Sequence, residues 1–275
     1  MIKHYIVLLR PSNFVITVLS VLVSCLLAGG NAGNMPAMVL ASLAAGLIGG
    51  GGMVINDIFD VEIDRINKPE RPLPSGNVAL RSAAVFYALL TAVGLLLNLF
   101  LHSSAQAIAA GAAVLIFFYS YRLKSTPLFG NVTVGLLTGL AFIYGGAAVG
   151  NIERAMVPAL FAFLINVGRE LIKDMEDVEG DALNHAGTFP VKFGMKSASA
   201  VATLILLAVI VSTIIPFADH QYGALYFAIV FLGVDCVIAF CLVSMWKDST
   251  PKNLNTLSAI LKYDMLIGLI AIYLG

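Results

Sequence analysis

The sequence predicts an all-α integral membrane protein with nine transmembrane helices in one bundle. Of its 275 residues, 59% are hydrophobic and only 12% are charged, and the mean hydropathy is +0.93. A soluble domain carries about 25% charged residues. Because apolar segments recur up to the last residue, we predict a single polytopic membrane domain over residues 1–275.

The apolar segments are long enough to cross a lipid bilayer, which takes roughly 20 residues of helix. Short polar or glycine- and proline-containing breaks separate them, as expected for turns between spans. The predicted spans cover residues 11–30, 35–56, 80–101, 104–121, 130–150, 155–173, 196–216, 222–246 and 257–275.

The cations are distributed unevenly between the two sides of the predicted bundle. All sixteen except Arg154 and Lys262 fall on the side that holds the N-terminus. By the positive-inside rule this side is cytoplasmic. We therefore predict a multi-pass protein of the cell membrane. Its formal net charge of zero gives no indication of a nucleic-acid partner.

Two acidic stretches, residues 56–76 and 174–181, hold ten of the sixteen acidic residues. Crossing parity places both on the cytoplasmic side. Charge this concentrated in an apolar chain indicates a functional site. The stretches share a pattern at an offset of 117 positions, in which Asp57, Asp60, Val61, Glu62, Asp64 and Asn67 recur as Asp174, Asp177, Val178, Glu179, Asp181 and Asn184.

Within each stretch the oxygen-bearing side chains share one predicted helical face, at i, i+4, i+8 in the first and i, i+3, i+7 in the second. Two such faces opposite each other form the oxygen-rich site that Mg²⁺ prefers when it binds phosphate groups. No clustered histidine or thiolate favours zinc. The candidate magnesium ligands are Asn56, Asp60, Asp64, Asp174, Asp177 and Asp181.

Basic residues on the same side could complete a site for a diphosphate, since cations bind phosphate oxygens through charge-assisted hydrogen bonds. The candidates are Arg65, Lys68, Arg71, Arg122 and Lys124.

These residues resemble the motifs of the UbiA superfamily of intramembrane prenyltransferases. The first motif, N-D-x-x-D-x-x-x-D, is complete from Asn56 to Asp64, and a family-like N-K-P-x-R-P-L-P-S-G follows at residues 67–76. The second motif, D-x-x-x-D, is complete at Asp177 and Asp181. The resemblance covers essentially the whole chain, including the nine helices.

A third patch also looks like the family. It comprises Tyr119, Arg122 and Lys124 in the sequence Y-S-Y-R-L-K, together with Asn131 downstream.

The resemblance implies a Mg²⁺-dependent reaction of a prenyl diphosphate, in which the allylic C–O bond ionises and an acceptor captures the carbocation. The prenyl tail would lie in an apolar tunnel open to lipid. We take as candidate catalytic residues Asn56, Asp60, Asp64, Asp177, Asp181 and Lys124.

The acceptor is less constrained by the sequence. Residues 168–181 look most like the branch of the family that prenylates geranylgeranylglyceryl phosphate with geranylgeranyl diphosphate. Arg169 and Lys173, one turn apart, could bind the acceptor phosphate, and Arg10 and Asn13 could line its pocket. An aromatic acceptor stays open. A cation or phosphate transporter is the alternative from another class, although its charged groups would lie near the bilayer midplane.

Overall fold

A computed structural model describes residues 2–183 and 186–275, and the described residues form helices and connecting segments without a β-strand. Asn184, which the sequence pairs with Asn67, lies outside the described residues. The α-helices are α1 (Ile2–Leu9), α2 (Pro11–Leu27), α3 (Met35–Phe59), α4 (Val61–Asn67), α5 (Leu80–Asn98), α6 (Ser103–Tyr121), α7 (Phe129–Ala148), α8 (Ile152–Glu176), α9 (Val178–Leu183), α10 (Phe189–Phe193), α11 (Met195–Ala218), α12 (Ala224–Val230), α13 (Cys236–Lys247) and α14 (Pro251–Leu274).

Eight helical segments of the described chain are long and apolar enough to cross a membrane, and α1 with α2, bent by 48°, provides a ninth. Each predicted span falls on one of these segments. The largest differences at a boundary are at the first span, where α1 extends the bent pair back to Ile2 from predicted residue 11, and at α14, which begins at Pro251 and not at residue 257. Proline is favoured in the first helical turn. The polar residues after it interrupt the apolar run from which the start of this span was predicted. Helix α1 was not predicted because its eight residues are too few for a span.

The chain divides into two compact units. Unit 1 comprises residues 1–123 and 140–156, and unit 2 comprises residues 124–139 and 157–275. In unit 1, α3 packs against α2, α5 and α6. The α3–α5 contact is close, since a Cβ atom on Gly94 would lie 2.7 Å from Ile48 and 3.0 Å from the Ala44 carbonyl oxygen. Small residues permit such close helix packing in membranes. The single-domain assignment stays a prediction.

Unit 2 contains a short π-helix, Phe231–Asp235, between α12 and α13. Its last residue, Asp235, is buried and accepts a hydrogen bond from the Thr213 hydroxyl at 3.1 Å. Asp264 on α14 is 2% exposed, and neither of its carboxylate oxygens has a hydrogen-bond partner among the described residues. A buried carboxylate without hydrogen-bond partners is costly in a membrane-spanning helix.

Candidate active site

Both acidic stretches form the same local structure. A long helix ends, one aspartate follows it, and a short acidic helix begins: Asp60 lies between α3 and α4, and Asp177 lies between α8 and α9. The helix ends differ by the same 117 positions as the aspartates. The backbone bonds agree too, because Asp60 N donates to residue 56 at 3.0 Å and Asp177 N donates to residue 173 at 3.0 Å. The sequence repeat is therefore also a repeat of backbone structure.

In the first stretch, the Asn56 and Asp60 side chains are neighbours, as their i, i+4 spacing predicts. The Asn56 amide donates to Asp60 Oδ2 at 2.8 Å, and both side chains are half-buried. Asp64 differs from the expectation of one continuous face, because α3 ends at Phe59 and the Asp64 side chain is directed at Arg71. The first stretch therefore has two separate groups of side-chain oxygen atoms, one of Asn56 and Asp60 and a second that includes Asp64.

The second group is a charge network that the sequence did not reveal. Arg71 Nη1 lies 2.6 Å from Asp64 Oδ2 and 3.3 Å from Asp57 Oδ1, and Arg10 Nη2 lies 2.5 Å from the same Asp57 oxygen. Both carboxylates are buried. Because two cations balance two buried acids, this Arg10–Asp57–Arg71–Asp64 network links the α1–α2 junction, α3, α4 and the turn after α4 within unit 1. Asp57 was not among the predicted site residues, although it belongs to the acidic pattern that repeats at an offset of 117 positions.

Arg10 and Asn13 are also joined through Met53 of α3. Arg10 Nη1 and Asn13 Nδ2 lie 3.7 and 3.8 Å from its sulfur atom. Arg10 has a left-handed backbone, with φ of 49°, where α1 meets α2. The two residues predicted to line an acceptor pocket are therefore adjacent, on the network side of α3.

In the second stretch, polar side chains hold two of the three aspartates. Asn131 of α7 donates to Asp174 Oδ2 at 2.8 Å, and Thr188 donates to Asp181 Oδ2 at 2.9 Å. Burial and the nearby charge of Asp177 raise the pKa of Asp181, and the hydrogen bond from Thr188 opposes this shift. Asp177 itself is exposed. Asn131 was predicted, whereas Thr188 was missed because no motif includes it.

Arg169 and Lys173 lie beside the second stretch and share one acid. Glu170 accepts from Arg169 Nη1 at 2.9 Å and from Lys173 Nζ at 3.2 Å. Arg169 Nε also donates to the Ser258 carbonyl oxygen of α14 at 3.0 Å. Glu170 is therefore the carboxylate that both cations contact among the described residues.

The remaining predicted cations occupy exposed or terminal positions. Arg65 pairs with Glu62 at 2.8 Å, and both side chains are mostly exposed; Lys68 is exposed in the turn after α4. Tyr119 lies in the last turn of α6, the exposed Arg122 caps that helix, and Lys124 lies in a 3₁₀ turn, Leu123–Ser125.

The donor set fits magnesium by its chemistry. The two stretches offer carboxylate and amide oxygens, which hard cations prefer. No group of three or more His, Cys, Asp or Glu side chains in the described ranges is arranged to hold a metal ion. Mg²⁺ commonly binds through one or two carboxylates, water and substrate phosphates, without an all-protein cage. Asn56 and Asp60 carry such oxygen atoms in unit 1, and Asp177 and Asp181 carry them in unit 2.

Comparison with known proteins decides the family. Residues 17–262 match the UbiA prenyltransferase family. The chain belongs to the UbiA prenyltransferase family. Two curated relatives are named digeranylgeranylglyceryl phosphate synthase: that of Methanopyrus kandleri is 38% identical over 98% of this chain and 97% of its own length. That of Thermococcus gammatolerans is 35% identical, again over 98% and 97%.

Solved structures of UbiA proteins share the fold. One, described as digeranylgeranylglyceryl phosphate synthase in membranes, has a TM-score of 0.87 and 32% identity, covering 100% of this chain and 98% of its own. A UbiA homologue from Archaeoglobus fulgidus bound to DMAPP and Mg²⁺ has a TM-score of 0.76 and 19% identity, covering 98% of both chains. The prediction of an all-helical, multi-pass membrane prenyltransferase is therefore confirmed.

Proposed function

We propose that this UbiA protein transfers a geranylgeranyl group from geranylgeranyl diphosphate to the hydroxyl of geranylgeranylglyceryl phosphate, with Mg²⁺, in ether-lipid synthesis. The observation that carries the proposal is the repeated helix–aspartate–helix structure at Asp60 and Asp177. Two carboxylate groups at equivalent helix ends suit a doubly charged ion and a diphosphate. The names of the full-length relatives support the choice of acceptor.

The metal ligands in this proposal are Asn56, Asp60, Asp177 and Asp181, with Asp64 and Asp174 beside them. Asn56 and Thr188 orient the carboxylates that they contact, through the bonds at 2.8 and 2.9 Å. Partners of this kind set the affinity of a ligand for its metal. The structure gives Asp64 a competing partner in Arg71, so its contribution to metal binding would require that ion pair to open.

When bound, Mg²⁺ supplies the positive charge that stabilises the departing diphosphate. The cations Arg65, Lys68, Arg122 and Lys124 would bind the remaining diphosphate oxygens. Arg71 would join them only if its ion pairs with Asp57 and Asp64 open. The allylic C–O bond then breaks, diphosphate leaves with the electron pair, and the acceptor oxygen captures the carbocation and loses its proton.

The acceptor phosphate would bind at Arg169 and Lys173, where two cations share the single charge of Glu170. A phosphate monoester carries up to two negative charges, which two neighbouring cations suit. An aromatic acid requires only one carboxylate-binding cation. Arg10 and Asn13 are the second candidate group for the acceptor.

We further propose that the acidic stretches face the cytoplasm. The reason is the cation distribution of the sequence, in which only Arg154 lies on the opposite face. This orientation would place the charged, water-soluble phosphate groups of both substrates on the cytoplasmic side. A cysteine placed at exposed position Lys68 should react with a membrane-impermeant maleimide only from the cytoplasmic side.

The test of the metal site is substitution of the two equivalent aspartates. Asp60→Ala and Asp177→Ala should each lower turnover by at least about 100-fold, because several kcal/mol of charge stabilisation are lost. Glu62→Ala and Glu179→Ala are matched controls, since both glutamates are exposed and recur at the same offset. EDTA should abolish turnover and added Mg²⁺ should restore it. Normal turnover by either aspartate variant contradicts the proposal.

The test of the acceptor uses purified protein, geranylgeranyl diphosphate and each candidate acceptor separately. Product from geranylgeranylglyceryl phosphate supports the proposal. Product from an aromatic acid alone would overturn it while leaving the metal-site result unchanged.

A further inference from the structure

Unit 1 has an open groove of about 560 Å³ between α1 and α5, on the outer side of a membrane-spanning helix. Of α5, only Ala83, Gly94 and Asn98 are buried. The groove is therefore on a surface that lipid contacts. The residues of this α1–α5 groove are Tyr5, Arg81, Ser82, Val85, Phe86 and Leu89.

The groove changes from charged to apolar along α5. Arg81 and Ser82 are in the first turn, and Val85, Phe86 and Leu89 occupy the next two turns. From Arg81 to Leu89 the helix rises about 12 Å, at 1.5 Å per residue. That length suits roughly the first half of a long hydrocarbon chain. The lining thus has the polarity of a single amphiphile, with the head at Arg81.

Arg81 carries an unneutralised charge. No hydrogen bond or ion pair joins its guanidinium to another residue in the described part of the chain, and none of the six lining residues is acidic. An arginine without a carboxylate partner at the end of a spanning helix attracts an anionic headgroup near a charged membrane surface. The polar end of the groove is therefore complementary to a phosphate.

The wall of the groove is fixed in place. Tyr5 of α1 and Phe86 of α5 pack edge to face, with ring centroids 5.1 Å apart. Both also pack against the buried cluster that includes Leu8, Val54 and Ala83. Because the wall belongs to the core of unit 1, the groove is formed before any ligand arrives, which lowers the ordering cost of binding.

We propose that the α1–α5 groove binds an anionic phospholipid of the surrounding membrane, with its phosphate at Arg81 and Ser82 and one chain along Val85 and Leu89. A lipid suits the groove better than a protein does. Six lining residues are far fewer than the roughly 20 to 30 that each side of a stable protein interface contributes. None of the six lining residues belongs to the acidic stretches, and the proposal needs no step of the proposed reaction.

The test measures lipid binding to the purified full-length protein by native mass spectrometry. Dioleoylphosphatidylglycerol is the anionic probe, and dioleoylphosphatidylcholine is the zwitterionic one. Arg81→Gln should weaken phosphatidylglycerol binding about fivefold, which is about 1 kcal/mol, and phosphatidylcholine binding by less, because the choline cation offsets the phosphate charge that Arg81 attracts. Lys252→Gln is the matched control, because Lys252 is an exposed cation in the first turn of α14 outside the groove. It should change neither.

A second pair of variants tests the chain position. Val85→Trp should fill the groove and lower binding of both lipids, whereas Val93→Trp, at an exposed valine of the same helix outside the groove, should not. Both valines are exposed, so the variants should fold, and unchanged thermal unfolding checks this.

Three results overturn the proposal. One is an equal effect of Arg81→Gln and Lys252→Gln. Another is an equal loss of both lipids in Arg81→Gln. The third is an Arg81→Gln protein whose KM for the phosphorylated acceptor rises while phosphatidylglycerol binding is unchanged, since the groove would then serve the reaction. Failure of the aspartate variants described above bears only on the proposed function.

Discussion

Replacing Arg71 with glutamine removes the cation that two buried carboxylates share. Its Nη1 atom contacts Asp64 at 2.6 Å and Asp57 at 3.3 Å, and the two acidic side chains are only 8% and 7% exposed. Asp57 keeps Arg10 as a partner. Asp64 has no other cation among its described contacts. The variant therefore leaves one buried carboxylate uncompensated.

The cost follows from burial. Removing one partner of a buried ion pair destabilises a protein by roughly 3–5 kcal/mol. Arg71 is 25% exposed, so water screens part of the interaction and the lower figure, about 3 kcal/mol, applies. With about 2–4 °C per kcal/mol for a chain of this size, the melting temperature should fall by roughly 6–12 °C. The melting temperature of Arg71→Lys should fall by less than half as much, because a single nitrogen atom of Arg71, Nη1, makes both contacts.

The cysteines supply the assay. Cys25 is fully buried in unit 1, Cys241 is buried in unit 2 and Cys236 is exposed. With Cys236 and Cys241 replaced by alanine, a thiol-reactive fluorophore reports the exposure of Cys25 as unit 1 unfolds. Arg65→Gln is the control, since its ion pair is exposed and should shift the melting temperature by less than about 2 °C.

A double-mutant cycle separates the ion pair from other effects of the substitution. In Arg71→Gln/Asp64→Asn, both partners are neutral, so the loss should be smaller than the sum of the single losses by about 2 kcal/mol. Additive losses, or an Arg71→Gln protein that melts within 2 °C of the wild type, would refute the assignment of a buried network.

Three further predictions concern other contacts. Thr188→Val removes the hydroxyl from Asp181 and should raise the Mg²⁺ concentration for half-maximal turnover by about tenfold or more, as loss of a ligand-orienting bond does. Glu170→Gln removes the acid between two cations and should lower the KM for a phosphorylated acceptor several-fold, measured by steady-state kinetics. Asp264→Leu removes a buried carboxylate without hydrogen-bond partners among the described residues and should raise the melting temperature, because no hydrogen bond is lost. Asp235→Leu, which loses the hydrogen bond from Thr213, should have a lower melting temperature than Asp264→Leu.

Each of these predictions has a contrary result. A Thr188→Val protein with normal Mg²⁺ dependence would mean that Asp181 does not bind the metal. A higher KM in Glu170→Gln would mean that the acid itself contacts the acceptor or positions the cations. An Asp264→Leu protein that melts below the wild type would show that the carboxylate has a stabilising partner.

The family and the extent of the helices were readable from the sequence because they depend on local composition. Hydropathy and length determine which segments can cross a membrane, and each of the nine predicted spans falls on a helix or, in the first case, a bent pair. The repeat at Asp60 and Asp177 likewise appeared in the order of the residues before its backbone was seen.

Only the tertiary structure determined which charges meet. Arg10 and Asp57 are 47 positions apart, and Asn131 and Asp174 are 43 apart. Sequence spacing on one helix cannot place such pairs, because they depend on how separate helices pack. For the same reason Asp64 was predicted on a face with Asn56, whereas the break after Phe59 directs it to Arg71. Composition thus defines the helices and their acidic ends, and packing between helices decides the partner of each acid.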